Sequence, residues 1–243
     1  MARKRADVVL VERGLFDSRA RARAAIEAGG VIAAGRTITK PSDMIEETAE
    51  ISAVSAHPYV GRGALKLVHA LGLWPIAVEG CTVLDVGAST GGFTEVCLER
   101  GAARVYAVDV GRGQLHPKLT GDSRVVSLEG TDARQLDASL IPVAPDLIVT
   151  DVSFIGLAKA LPAPLGLAMR GASLVALVKP QFEVGPQGVS KGGLVKDEVA
   201  RATALAEVTA FLQGSGWIVR GSAPSPIAGG DGNIEHLLWA QKA

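Results

Sequence analysis

Five short apolar runs constrain this chain most: 82-TVLDV-86, 104-RVYAVDV-110, 125-VVSLEG-130, 146-DLIVTDV-152 and 173-SLVALVK-179. Runs of Val, Leu and Ile without polar alternation belong to strands covered on both faces. Between and after them come segments of helical pattern, TEVCLERG (94–101), GLAKALPAPLGLAM (156–169) and DEVARATALAEVTAFLQGSG (197–216). Strands alternating with helices argue for a doubly wound, mainly parallel sheet in the α/β class. Two closing runs, GWIVRGSA (216–223) and IEHLLWA (234–240), have no helix between them and predict an antiparallel, hairpin-like edge.

The 243 residues suit one core domain with a small appendage. Residues 3–54 read as that appendage, a small α/β module. Asp7 is expected to open a short helix, VVLVERG, closing at Gly14, and Ser18 to cap RARARAAIEAGG (19–30). Strand-like pieces follow in VIAAG, RTITKPSDMI and AEISAV. HPYVGRG (57–63), a proline and two glycines around an arginine, is a joint. The expected division is therefore a first domain over 1–56, a linker over 57–63 and a second domain over 64–243.

Formal net charge is zero, yet residues 1–40 hold nine Lys and Arg against four Asp and Glu. Arg3, Lys4 and Arg5, grouped with Arg19, Arg21 and Arg23 of the second helix, form either a phosphate-facing surface or a solvated helix face. Cys81 and Cys97 stand in no CxxC or His/Cys cluster, so neither a disulfide scaffold nor a metal site is expected; they read as core residues of a cytoplasmic protein. No export signal is readable, and Asp151, Lys159, Arg170 and Lys179 interrupt the most apolar region, so no membrane span is expected.

In a parallel sheet, ligands bind at the carboxyl ends of the strands. There the first long strand leads into DVGASTGGFT (85–94), where Gly87, Gly91 and Gly92 permit close backbone approach. A Walker loop needs GxxxxGK[ST], and no lysine follows here; a dinucleotide loop reads GxGxxG, and this one reads GASTGG. Asp85 suits a cationic ligand better than a pyrophosphate, which points to S-adenosylmethionine ahead of a dinucleotide. Asp109, ending the next strand, is placed to accept ribose hydroxyls, and Asp132, after the third, to reach an adenine amino group. The candidate cofactor contacts are thus Asp85, Gly87, Ser89, Thr90, Gly91, Gly92, Phe93, Asp109, Asp132 and Asp151.

Asp151 and Lys179 end the fourth and fifth strands on the same rim. Methyl transfer to exocyclic base nitrogens typically uses an Asn/Asp-Pro-Pro-aromatic motif, whereas this chain has DVSF. Neither cysteine follows these strands, so thiol-based carbon methylation is not supported either. A Lys–Asp pair suits activation of a hydroxyl, or else it is a salt bridge fixing strand ends.

GRGALKL (61–67), DVGASTGGFT, TDVSF (150–154), LVKPQFE (177–183) and GNIEHLLW (232–239) resemble the TlyA (haemolysin A) family of FtsJ-like ribosomal RNA 2′-O-methyltransferases. Residues 3–54 likewise resemble the S-four RNA-binding fold. The resemblance implies a Rossmann-like class I methyltransferase fold with a seven-stranded, mainly parallel sheet and a small N-terminal RNA-binding domain. It also implies S-adenosylmethionine as cofactor, ribosomal RNA in ribosomal subunits as partner, and a cytidine ribose as substrate. Matched by motif, the family's Lys-Asp-Lys-Glu tetrad falls on Lys66, Asp151, Lys179 and Glu235, with Lys179 the candidate proton acceptor. Gly61 stands where relatives often carry serine, and Ala6 stands before Asp7 where the fold more often has a larger apolar residue, so Ala6 is expected to pack less. FEVGPQGVSKGGLV (182–195) is a candidate lid whose Lys191 could meet RNA phosphate. Arg62, Arg112 and Lys118 are further candidate phosphate contacts. The rival readings are a membrane-active cytolysin and a non-catalytic RNA-binding factor.

Overall fold

The computed structural model describes residues 3–229 and 231–243. The chain divides into two compact units between Arg62 and Gly63.

The first unit contains β1 (Arg3–Arg5), α1 (Ala6–Glu12), α2 (Arg19–Glu27), β2 (Val31–Ala33), β3 (Arg36–Thr37), β4 (Met44–Glu46) and β5 (Ile51–Ala53). β1 pairs antiparallel with β4, and β2 lies between β3 and β5 in a second small antiparallel sheet. In α2, Ala22, Ala25 and Ile26 recur at helical spacing and enter a core with Val9, Leu10, Phe16, Val31 and Ile38. Ser18 caps this helix, accepting from the Arg21 amide at 3.3 Å. The start of α1 differs from its sequence reading. The helix begins at Ala6, and Ala6, expected to pack less, is fully buried in the core cluster. Its small side chain sits at the entrance of the helix, where the two helices and β4 converge. Asp7 lies inside the first turn and makes no cap; its buried carboxylate accepts instead from Arg5 and Arg19.

The second unit runs α3 (Ala64–Leu73), β6 (Thr82–Val86), α4 (Gly92–Glu99), β7 (Arg104–Asp109), α5 (Pro117–Thr120), β8 (Val125–Glu129) and β9 (Leu147–Thr150). It continues through α6 (Leu157–Ala160), α7 (Pro162–Leu167), β10 (Ser173–Val178), α8 (Pro180–Glu183), α9 (Glu198–Gly214), β11 (Trp217–Pro224) and β12 (His236–Lys242). GLAKALPAPLGLAM is broken into α6 and α7 because Pro162 has no amide to continue the helical ladder. The seven strands form one sheet in the order β11-β12-β10-β9-β6-β7-β8. β6 to β10 are parallel to one another, while β12 is antiparallel to both β10 and β11. Of the two closing strands only β11 is at the edge; β12 is inserted inside the sheet.

Alternate residues of the central strands, Leu84 and Val86, Tyr106 and Val108, join Ile148 and Leu174 in one apolar layer with Leu157, Leu161, Val208 and Leu212. Fully burying a Leu or Ile is worth roughly 1.5–3 kcal/mol, so the strand ends project from a rigid base. Strand order reverses between β6 and β9, opening a crevice at their carboxyl ends.

Candidate active site

Four charged side chains meet at that rim from four elements. Lys66 lies in the first turns of α3, Asp151 follows β9, Lys179 follows β10 and Glu235 precedes β12. β12 runs opposite to its neighbours, so its first residue, His236, stands across from Val178 at the end of β10, and Glu235 arrives at the rim on which the parallel strands end. Lys66 Nζ donates to Glu235 Oε2 at 2.7 Å and lies 3.5 Å from Asp151 Oδ2. Lys179 Nζ lies 2.5 Å from Asp151 Oδ1 and donates to Ser153 Oγ at 2.8 Å. Lys66, Lys179 and Glu235 are all buried. A buried charge is tolerable only when paired, and here two ammonium groups and two carboxylates balance in one continuous chain of contacts.

Asp151 also lines a cavity of about 770 Å³ in the crevice, within the range of small-molecule sites. Its walls are Val86, Val108, Val110, Ala133 and Ile155 on the apolar side, with Gly87, Ser89, Asp109, Thr131 and Asp132 supplying polar groups. Gly87 has φ +84°, and a Cβ there would stand 3.1 Å from the Val152 backbone, so a side chain would push the β6 and β9 loops apart. Asp109 shapes the floor: Oδ2 accepts from the Ser89 amide at 2.8 Å and Oδ1 from the Gly111 amide at 2.7 Å. Glu129 shapes the adjoining loop by accepting from the amides of Gly113, Gln114 and Leu115, which hold its carboxyl below the usual range. Asp132 is gripped by the Arg134 guanidinium, which likewise lowers its pKa.

Asp85 is not at the cavity surface, contrary to its reading as a contact for a cationic ligand. Strand alternation sends it to the face opposite Leu84 and Val86, where it is fully buried. Its Oδ2 accepts from Thr94 Oγ1 of α4 at 2.6 Å, while Oδ1 is buried without a hydrogen-bond partner. Burial pushes its pKa up to about 7. Thr90, Gly91, Gly92 and Phe93 do not line the cavity either. Gly91, at φ +92°, begins α4 against Leu115 and Leu119, into which a Cβ would collide. Gly92 and Phe93 are buried in the helix itself.

Among the candidate RNA contacts of the first unit, several cations are held by carboxylates: Lys4 by Glu12 and Glu47, Arg5 and Arg19 by Asp7, and Arg21 by Asp17. Arg3 donates to the Met44 carbonyl, and Arg23 is exposed. Arg62, the last residue of the first unit, is exposed; in the second unit Lys191 is exposed, Arg112 lies over Gly130, and Lys118 pairs with the buried Glu95. The 182–195 segment is tied down by Asn233, whose side chain accepts from the Val195 amide and donates to the Gly193 carbonyl.

Sequence reasoning passed over three residues. Ser153, on Lys179, gave only the quoted DVSF as a signal. Phe154 is 91% exposed at φ +67° beside the cavity, its ring 5.3 Å from that of Phe182. Glu183 fixes the β9 loop by accepting from the Leu157 amide at 2.9 Å.

Residues 59–242 match the FtsJ-like methyltransferase family and residues 4–51 the S4 domain. The 16S/23S rRNA (cytidine-2′-O)-methyltransferase TlyA of Mycobacterium tuberculosis is 49% identical over 98% of this chain and 90% of its own length. Hemolysin A of Brachyspira hyodysenteriae is 38% identical over 96% and 98%. The solved structure of a "Putative hemolysin" from Streptococcus thermophilus superposes with a TM-score of 0.79 at 40% identity, over 100% of this chain and 90% of that one. Among the described residues no helix is long and apolar enough to cross a membrane.

Proposed function

Because the chain belongs to the FtsJ-like methyltransferase family, we propose that it transfers a methyl group from S-adenosylmethionine to a ribose 2′-hydroxyl of ribosomal RNA, on a cytidine by likeness to the mycobacterial relative. The observation that carries this reading is the buried Lys66–Asp151–Lys179–Glu235 chain of ion pairs at the mouth of the crevice.

The cavity fits the cofactor. Its apolar wall suits an adenine, each Asp109 oxygen keeps a lone pair for a ribose hydroxyl beyond its one backbone amide, and the tight turn at Gly87 keeps side chains out of the floor. When bound, adenosylmethionine supplies a methyl carbon on a positively charged sulfur, which the ribose oxygen takes while sulfur keeps the electron pair. The protein's part is to orient the hydroxyl and take its proton. Lys179 is the acceptor, Asp151 holds both amines in place, and Glu235 anchors Lys66. Phe154 offers an exposed aromatic face on which the base of the target nucleotide can stack. Asp85 acts from behind, through Thr94 and α4.

The first unit docks the RNA, using Arg3, Lys4, Arg5, Arg19, Arg21, Arg23 and Arg62 as its phosphate-facing cations, with Lys191 adding a contact from the second. With ribosomal RNA as substrate, the cytoplasm is the compartment this reading implies. Hypomethylated ribosomal particles incubated with the protein and labelled cofactor test the reading. Label is expected on a ribose 2′-oxygen, and Lys179→Ala should lower its incorporation by about 100-fold or more while cofactor binding persists. Label on a base, or undiminished incorporation by the variant, rejects it.

A further inference from the structure

We propose that Ser153 is a positioning residue which aims the amine of Lys179 at the substrate hydroxyl and thereby makes Lys179, rather than Lys66, the proton acceptor; this rests on the 2′-O-methyl-transfer reading above. The two lysines share one partner, Asp151, and differ in the other. Lys66 Nζ has the Glu235 carboxylate at 2.7 Å as its second neighbour; Lys179 Nζ has the neutral Ser153 hydroxyl at 2.8 Å.

That difference has two consequences. The first is electrostatic. A second carboxylate brings a full negative charge to Lys66, and the hydroxyl brings only a dipole to Lys179, so Lys66 has two carboxylate neighbours where Lys179 has one. The second is directional. A lysine nitrogen has three bonding directions beyond Cε, and at Lys179 Ser153 Oγ takes one of them as acceptor of an N–H, while Asp151 Oδ1, 2.5 Å away, is an ion-pair partner outside hydrogen-bond geometry. In the neutral amine the lone pair lies in one of the other two. The proton of the ribose hydroxyl passes to that lone pair, and the O–H electron pair stays on oxygen to form the new bond to carbon. Without Ser153 the amine turns about its Asp151 contact and the lone pair has no fixed aim.

The other ionisable groups nearby do not substitute for the hydroxyl. Lys66 and Glu235 lie across Asp151, Glu183 of α8 is turned to the Leu157 amide, and Asp85 of β6 is turned to Thr94. Ser153 itself lines the cavity.

The test uses the full chain, hypomethylated ribosomal particles and labelled adenosylmethionine, with cofactor affinity measured separately by calorimetry. Ser153→Ala should lower kcat about tenfold, with KM for the particles and cofactor affinity each moving less than twofold. Ser153→Thr, which keeps the hydroxyl, should restore kcat to within about threefold of the parent. Ser153→Asp gives Lys179 the paired carboxylates that Lys66 has, and should displace the rising limb of the kcat–pH profile by about one unit or more to higher pH. A Ser153→Ala protein with kcat within twofold of the parent, a loss confined to KM, a threonine variant as impaired as alanine, or an unmoved pH limb in the aspartate variant overturns the assignment. Lys179→Ala run alongside separates the two levels: if it still turns over, the methyl-transfer chemistry itself is misread; if it is inactive while Ser153→Ala is not, only the role of Ser153 falls.

Discussion

Asp85 shows how far a residue's meaning depends on which way it points. Its position at the end of β6, before a glycine-rich turn, is plain in the sequence, and so is its acidity. Its direction is set by pleating, which turns it from the crevice into the α4 face, where Thr94 Oγ1 donates to it. Buried there, its carboxyl is held up at about 7. A folded pKa above the unfolded value of 3.8 means the folded state holds the proton more tightly, so stability is full below about pH 4 and is lost as pH rises through 7. Asp85→Asn, which carries no charge, should escape that loss. The variant is expected to match the parent near pH 4 and to exceed it by up to about 4 kcal/mol at pH 8 in urea unfolding; parallel curves across that range would show that Asp85 is not protonated in the folded protein. Lys66, Asp151, Lys179 and Glu235 were candidates one by one from their motifs. Ser153 was not, because a serine beside an aspartate carries no signal until a lysine from another strand is seen to reach it.

At the scale of elements, the loop between β7 and α5 is held by a side chain from the next strand. One carboxylate, Glu129, takes three consecutive amides, and the loop it organises brings Gly111 and Gln114 to the cavity wall. Glu129→Ala would return three backbone donors to water and release that wall. Affinity for adenosylmethionine, measured by calorimetry, should fall about tenfold, near the cost of one charge-assisted hydrogen bond, while affinity for ribosomal particles stays unchanged. Equal cofactor affinity in the variant would remove the loop from the cofactor's site. Apolar runs announced the central strands well, because covering on both faces demands such runs. Broken helices were harder to foresee: GLAKALPAPLGLAM has helical periodicity throughout, yet Pro162 divides it. Glu129 gave no sign at all, since its partners are main-chain amides.

For the whole molecule, the cations of the N-terminal unit divide into those fixed by carboxylates and those left at the surface. Asp7 holds Arg5 and Arg19 and its carboxyl is lowered to about 2, chiefly by Arg5; these arginines are thereby aimed as well as neutralised. Arg23 is exposed on α2. If that helix meets phosphate, Arg23→Ala should weaken binding to ribosomal particles and reduce the slope of log affinity against log salt by about 1, leaving cofactor affinity untouched; an unaltered slope would take Arg23 out of the RNA-facing surface. Local sequence alone determined the α/β class, the glycine turn after β6 and the amphipathic core of the first unit, because periodicity, turn chemistry and burial preference act over a few neighbouring residues. Tertiary structure alone decided that β12 enters the sheet antiparallel beside β10, bringing Glu235 to the rim where Lys66, Asp151 and Lys179 converge. Contacts between residues up to 169 positions apart are fixed by how layers stack and strands order, and no local pattern records that.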